Sequence, residues 1–553
     1  MAGNMVADAL NVAYTYLTHR YGKKDLECLC TDLKSLADCD KHNFSISELV
    51  GVCSYENIQS LMSNLNEKES IRKSKGVYYT PPDVVKFILY NALRGAEGKL
   101  KSNNLHVLDL NGVSYKNICM KKTVFDPTCG AGEYLLNCLD MKLDLLDANI
   151  KNITGKQVRA VAETIFGNDV NSESTTISKI RLYLCIVHRY GIRLTRGLTD
   201  ILNRNFYSYD FVIDAKNRSD KYDIIIGNPP YVEDSKSGLN PDIKFGNIYA
   251  NVLKNAAEML NENGVFGFII PLSYVSTPRM QSIREALIKY VPEQYILSYS
   301  DRPDCLFSSV HQKLCIVIGL KKECDPTIYT GNYQYWYKDD RGDLFKSTKV
   351  IKNKYMEDEF IPKLGTSIDS KVYQKVVNGR NRIAFLNLPK SGAGKVHLNM
   401  RAAFWIKAFL NEHDGSEYKT YTFENEGIGC YAMCLLNSSL FWWYWVCVSD
   451  CWHITKKELS GFMIPTLDDY TEAIRLANLL EYELENTKVY VGTKQVEYEY
   501  KHKDCVDVIH QIDDYINGLF GLTDAENVYI QNFAYRYRVG GGAESKDESE
   551  EGN

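Results

Sequence analysis

The ten residues Tyr222-Asp-Ile-Ile-Ile-Gly-Asn-Pro-Pro-Tyr231 constrain the fold more than any other stretch of this 553-residue chain. Three consecutive isoleucines call for burial on both faces, which an interior strand of a covered sheet provides. Two prolines directly afterwards remove backbone donors and fix φ, so the strand stops and the chain continues as a rigid, extended loop. That loop projects Asn228 and Tyr231. A plain strand terminator calls for neither.

From Gly76 to about Leu320, short β-rich runs alternate with helical segments: Thr123–Phe125, Thr164–Gly167, Ile192–Thr195, Tyr222–Ile226, Val265–Pro271 and Leu314–Leu320. The alternation predicts an α/β domain, a mostly parallel Rossmann-like sheet with helices on both faces. In Val124-Phe-Asp-Pro-Thr-Cys-Gly-Ala-Gly-Glu-Tyr-Leu135 a strand ends beside Asp126, and Gly130 and Gly132 turn tightly into a helix. Ligands of open α/β sheets bind at such edges, where glycine lets them approach the backbone. The segment lacks the full G-x-G-x-x-G pattern and any phosphate-loop Lys-Ser/Thr. Asp169 ends the next strand, placed to accept both hydroxyl hydrogens of a ribose diol. The third strand is expected to end at Asp200, able to accept from an adenine amino group. Three acids at successive strand ends favour an adenosine-containing ligand.

Asn-Pro-Pro-Tyr suits the chemistry of an exocyclic amino group, whose lone pair is delocalised into the base. The Asn228 side-chain oxygen and the Pro229 carbonyl, held by Pro230, can take its two N–H bonds and localise that lone pair. Tyr231 can stack on the base once it has left the duplex.

With these segments together, the chain resembles the gamma class of S-adenosylmethionine-dependent DNA methyltransferases, the Taq-like adenine-N6 enzymes of restriction–modification systems. Gly76-Val-Tyr-Tyr-Thr-Pro-Pro-Asp-Val-Val-Lys-Phe-Ile88 is similar to the motif that closes over the methionine end of the cofactor. By resemblance, Tyr78, Thr80, Asp126, Gly130, Gly132, Asp169 and Asp200 fall on S-adenosylmethionine-binding positions, and Asn228, Pro229, Pro230 and Tyr231 on the catalytic loop. The implied reaction is methylation of the N6 of a flipped adenine in double-stranded DNA. Asn before Pro-Pro-Tyr favours adenine over cytosine. Two alternatives remain: an RNA or protein-glutamine methyltransferase, and a modification subunit that needs a separate specificity partner. Asn168 departs from the family, which more often has an apolar residue there.

The expected organisation is an N-terminal helical region (1–70), a catalytic domain (71–325), a mixed α/β target-recognition lobe (326–535) and a disordered acidic tail (536–553). The formal charge of −5 hides an uneven distribution, because Gly540–Asn553 holds −4 of it, whereas residues 371–410 carry +8 and no acid. Local cation density decides phosphate binding, so Lys371, Lys375, Arg380 and Arg382 are the expected DNA contacts. The sixteen cysteines form no regular framework and read as reduced thiols in a cytoplasmic chain. Cys430, Cys434, Cys447 and Cys451 lie around an apolar, aromatic segment and read as core rather than zinc ligands, and no metal is expected. Trp442, Trp443 and Trp445 likewise read as packing. A cognate nuclease would be a separate polypeptide, and the chain is expected to be a monomer with no membrane association.

Overall fold

The computed structural model describes residues 5–65, 79–307, 311–355, 359–413, 415–492 and 497–540. Among the described residues, nine strands make the central sheet: β1 (Val124–Asp126), β2 (Ile165–Asn168), β3 (Phe206–Tyr207), β4 (Tyr222–Gly227), β5 (Leu260–Pro271), β6 (Glu293–Tyr299), β7 (Leu314–Leu320), β8 (Thr327–Gln334) and β9 (Ile351–Lys352). They lie in the order β3-β2-β1-β4-β5-β7-β6-β8-β9. The first five in that order pair in parallel, and β7 runs antiparallel to both β5 and β6.

Alternation along the strands sends side chains to two different layers. Ile224, Ile226, Val265 and Ile269 share a core with the helix Pro82–Ala96. Ile225, Phe266, Phe268 and Ile270 share another with the helix Ile248–Glu258. All eight are fully buried, each contributing about 1.5–3 kcal/mol relative to exposure. The isoleucine run is therefore apolar throughout because both of its faces are covered.

Two expectations about this layer are corrected. Ile192–Thr195 is not the third strand, since Ile192–Leu194 is a 3-10 turn and Phe206–Tyr207 takes that place. Gly191 at φ 71° and Gly197 at φ 79° bracket the run with backbone outside the extended region, so the chain turns at both ends of it. The boundary near 325 also falls inside the sheet, because β8 pairs in parallel with β6 and β9 pairs with β8. The Tyr- and Thr-rich sequence of β8 reflects an alternation of buried and half-buried positions.

Helices Met5–Thr18, Lys23–Ala37 and Tyr55–Leu65 pack on the helix Ser172–Tyr190 in one cluster with part of Glu133–Asn149. Beyond β9 the chain builds a mixed α/β lobe. Its strands Gly394–Asn399, Ala408–Phe409 and Tyr418–Phe423 form an antiparallel sheet beside helices that include Glu426–Asn437 and Ser439–Val448. Near its end the lobe forms a helical pair, Val506–Leu519 and Asp524–Asn532, with Gly521 at φ 69° between them. Among the described residues no helix is long and apolar enough to cross a membrane. Residues 541–553, most of the expected acidic tail, lie outside the described residues.

Ser439–Val448 is buried along its whole length, and its indole N–H groups go to Ala403 O, Asp369 Oδ1 and His453 O at 2.9–3.2 Å. The three tryptophans are therefore packing residues. Asp369 also accepts the Tyr529 hydroxyl (2.5 Å), the Gly365 and Thr366 N–H groups and the Thr366 hydroxyl. Removing one carboxylate would strand several buried donors at once. Asp369→Ala is expected to lose about 3–5 kcal/mol of stability in this lobe. Denaturant unfolding followed by tryptophan fluorescence checks this, and an unshifted midpoint counts against it.

Candidate active site

β1 delivers Asp126 to the carboxyl edge of the sheet, where it is 1% exposed and its Oδ1 accepts the Thr128 N–H at 3.0 Å. Burial pushes its carboxyl well above the usual range; the Thr128 N–H opposes the shift and the nearby Asp169 charge adds to it. Gly227, the last residue of β4, is required here, since a Cβ would stand 2.8 Å from Asp126 Oδ1.

The turn after β1 places Gly130 at φ 51° and Gly132 at φ 83°. A Cβ on Gly132 would also meet Ser178 Oγ at 2.6 Å. Asp169 reaches across from the end of β2, its Oδ2 accepting the Gly130 N–H and its Oδ1 the Asn171 N–H, both at 2.9 Å. Asn168, unusual for the resemblance, is fully buried and clamps the loops after β1 and β3. Its Nδ2 donates to Pro127 O and Tyr209 O at 3.0 Å, and its Oδ1 accepts the Tyr209 N–H at 3.1 Å.

The residues of the Asn-Pro-Pro-Tyr loop follow β4. Asn228 Nδ2 donates to Thr80 Oγ1 at 3.0 Å, and the Tyr231 hydroxyl lies 2.5 Å from Asn228 Oδ1 and 2.9 Å from the Ile269 carbonyl, donating between the two. The amide is thus oriented from both ends. The Tyr231 ring is half-buried and edge-on to Tyr249, centroids 6.4 Å apart. Thr80 directly precedes Pro81 and the helix Pro82–Ala96. Arg341 binds Asp83 near that helix start at 2.6 and 3.1 Å, tying it to the segment after β8.

The structure thus brings together Thr80, Asp126, Gly130, Gly132, Asp169, Asn228 and Tyr231. Pro229 and Pro230 lie on the same loop. Tyr78 lies outside the described residues. Asp200 does not join the group, because it sits exposed on the helix Leu198–Asn205, on the side where its charge acts on Asp32 of the N-terminal helices. The acid that follows the real third strand is Asp210, which caps a short helix by accepting the Val212 and Ile213 N–H groups. The run Phe206-Tyr-Ser-Tyr-Asp210 held the signal for it, an aromatic strand ending in an acid.

The four expected DNA-binding cations do not form one patch. Lys371 and Arg380 are exposed. Lys375 pairs with Glu526 and Gly521 O at 2.6 Å, while Arg382 donates to Lys375 O and Phe520 O and lies over the Phe520 ring. Those two hold the turn between helices Val506–Leu519 and Asp524–Asn532. Sequence reasoning missed Trp452, which is 41% exposed with Lys313 Nζ and the Arg401 guanidinium 4.2 and 5.0 Å from its ring centroid. Lys313 immediately precedes β7, so this cluster joins the second lobe to the sheet edge that carries Asn228.

The donor set fits S-adenosylmethionine. Two carboxylates close together provide acceptors for ribose hydroxyls and favour a cationic ligand. The glycine turn leaves room for close approach, and the buried Thr128 Oγ1 has no hydrogen-bond partner among the described residues.

Replacing Gly132 by Ala forces a Cβ into left-handed backbone and against Ser178, at a cost of about 2–4 kcal/mol. A marked drop in the thermal midpoint of Gly132→Ala is expected, and an unchanged midpoint would contradict the turn described.

Residues 163–302 match the family model described as Eco57I restriction-modification methylase. The chain is 26% identical over 308 residues to the modification methylase CviBIII of Paramecium bursaria Chlorella virus NC1A, covering 54% of this chain and 63% of that protein. It is 24% identical over 211 residues to the adenine-specific methyltransferase PglX of Streptomyces coelicolor, covering 31% and 16%. The matches thus span less than two thirds of either relative. Among solved structures, the DNA complex of the Type IIL restriction-modification enzyme MmeI aligns with 97% of this chain and 98% of its own at 12% identity and a TM-score of 0.49. The family match over residues 163–302 takes in Asp169 and the Asn228–Tyr231 loop.

Proposed function

We propose that the chain transfers a methyl group from S-adenosylmethionine to the N6 amino group of adenine in double-stranded DNA. The observation that carries this reading is the Asn228 amide, fixed between Thr80 and Tyr231 at the edge that also holds Asp126 and Asp169. When bound at the glycine turn, the cofactor supplies an electrophilic methyl group. Asp169, Asp126 and Thr80 hold it there. Asn228 Oδ1 and the Pro229 carbonyl accept the two amino N–H bonds of the base. No general base is needed before transfer, and the rigid Pro229-Pro230 backbone contributes chiefly by positioning. Tyr231 packs against the extruded base and offsets part of the few kcal/mol lost in unstacking. Adenine is favoured by Asn rather than Ser at position 228 and by the relative named as adenine-specific.

The purified chain, duplex DNA and labelled cofactor together test this. Label recovered as N6-methyladenine is the expected result, and transfer should vanish in Asn228→Ala while cofactor affinity stays nearly intact. Recovery of methylcytosine, or full turnover in the variant, would falsify the assignment.

We further propose that duplex DNA crosses the seam at Trp452 and Arg401, with Lys371 and Arg380 as outlying phosphate contacts. An exposed indole flanked by cations offers both a stacking face and phosphate neutralisation. Lys313 is spared from substitution because it neutralises the buried Asp301 at 3.3 Å. The double variant Arg401→Gln/Trp452→Ala is expected to bind DNA about tenfold more weakly. Its slope of log affinity against log salt should be shallower by about 0.9, the contribution of one phosphate contact. Parental affinity and slope in that variant would place the DNA elsewhere.

A further inference from the structure

We infer that the N-terminal helices set the conformation of the glycine turn through a buried Gln59–Arg181 relay, making both side chains positioning residues for the cofactor. The inference rests on reading that turn as the cofactor site.

Arg181, on the helix Ser172–Tyr190, is 2% exposed, an unusual place for a guanidinium unless its donors are all directed. Its Nη1 donates to Ala131 O at 2.7 Å, its Nη2 to Glu133 Oε2 at 3.0 Å and its Nε to Gln59 Oε1 at 3.0 Å. Ala131 lies between the two left-handed glycines, and Glu133 is the first residue of the helix that follows. Gln59 comes from the helix Tyr55–Leu65 and returns a hydrogen bond from Nε2 to Arg181 O at 3.1 Å. Each side chain therefore fixes the other.

The turn is pinned at three backbone points: Ala131 O by Arg181, Gly130 O by Ser178 at 2.8 Å and Gly130 N by Asp169. Two of these belong to the catalytic layer alone. The third depends on a residue 122 positions earlier, in a segment outside the family match. Other polar ties of the N-terminal helices, Tyr16 to His188 and Asn203 to Ser35, reach helices rather than the turn. A buried cation seldom adds stability over an apolar side chain of similar size, so what this arrangement supplies is geometry. A guanidinium fork is well suited to fixing a carbonyl and a carboxylate together.

A cleft of about 350 Å³ opens beside the relay, lined by Tyr55, Gln59, Tyr79, Glu133 and Arg181 among others. Position 59 thus has room for a changed side chain without disturbing a packed core.

Two full-length variants test the relay. Gln59→Met keeps length but removes both hydrogen bonds, whereas Gln59→Glu keeps an acceptor for Arg181 Nε. The Met variant should bind S-adenosylmethionine about tenfold more weakly by calorimetry, the loss expected when a hydrogen bond to a charged group goes. Its KM for the cofactor should rise with kcat unchanged, its DNA affinity should match the parent's, and amide exchange at residues 130–133 should accelerate without cofactor. The Glu variant should stay within about threefold of the parent. Parental cofactor affinity and exchange in Gln59→Met would overturn the inference, as would equal losses in both variants. If the parent itself fails to bind S-adenosylmethionine, the cofactor reading falls, and the exchange comparison alone decides the relay.

Discussion

A carboxylate sealed from water where β1 and β4 meet is the constraint on which this structure depends. Asp126 is almost wholly buried, with its charge disfavoured by that burial and by Asp169. Such a group is costly unless donors face it. Its surroundings follow from this. Gly227 must lack a side chain, Thr128 must offer its N–H, and the chain must turn back through left-handed glycines so that Gly130 can meet Asp169. A cradle of this kind gains most from a ligand that brings hydroxyl donors and positive charge, which is the chemical description of the proposed cofactor.

The Asn-Pro-Pro-Tyr loop is likewise oriented by a few polar contacts. Asn228 is held by a threonine 148 positions earlier and a tyrosine three positions later. Thr80 is steadied in turn by a helix start that Arg341 ties to the segment after β8. The second lobe has a comparable polar knot at Asp369, set inside an aromatic core. Its cations are divided, with Lys375 and Arg382 drawn inward to hold a helical turn and Arg401 left at the seam against Trp452. Net charge therefore says little about where DNA would lie.

What could be read from the sequence was local. Ile224-Ile-Ile226 with Pro229-Pro230 specifies a buried strand and its abrupt end, and Asp126 and Asp169 follow their strands directly. The glycines were legible for the same reason, since their conformational roles act within a few residues, whereas Thr80 entered only through the family resemblance. The third strand was not, because Phe206–Tyr207 is only two residues long and Ile192–Thr195 had the stronger β composition. Asp200 was misplaced with it. β8 was hidden because a strand with one half-buried face reads as polar.

The sequence by itself determined the parallel core, the acids Asp126 and Asp169 at two strand ends and the Asn-Pro-Pro-Tyr loop, because each depends on periodicity or on the fixed φ of proline and the freedom of glycine. Only the tertiary structure decided which cations are spent internally, which acid follows β3, and that Gln59 reaches the glycine turn through Arg181. Those facts rest on contacts between residues as many as 151 positions apart, whose partners are selected by packing and by the need to satisfy buried charge, and no local pattern carries that information.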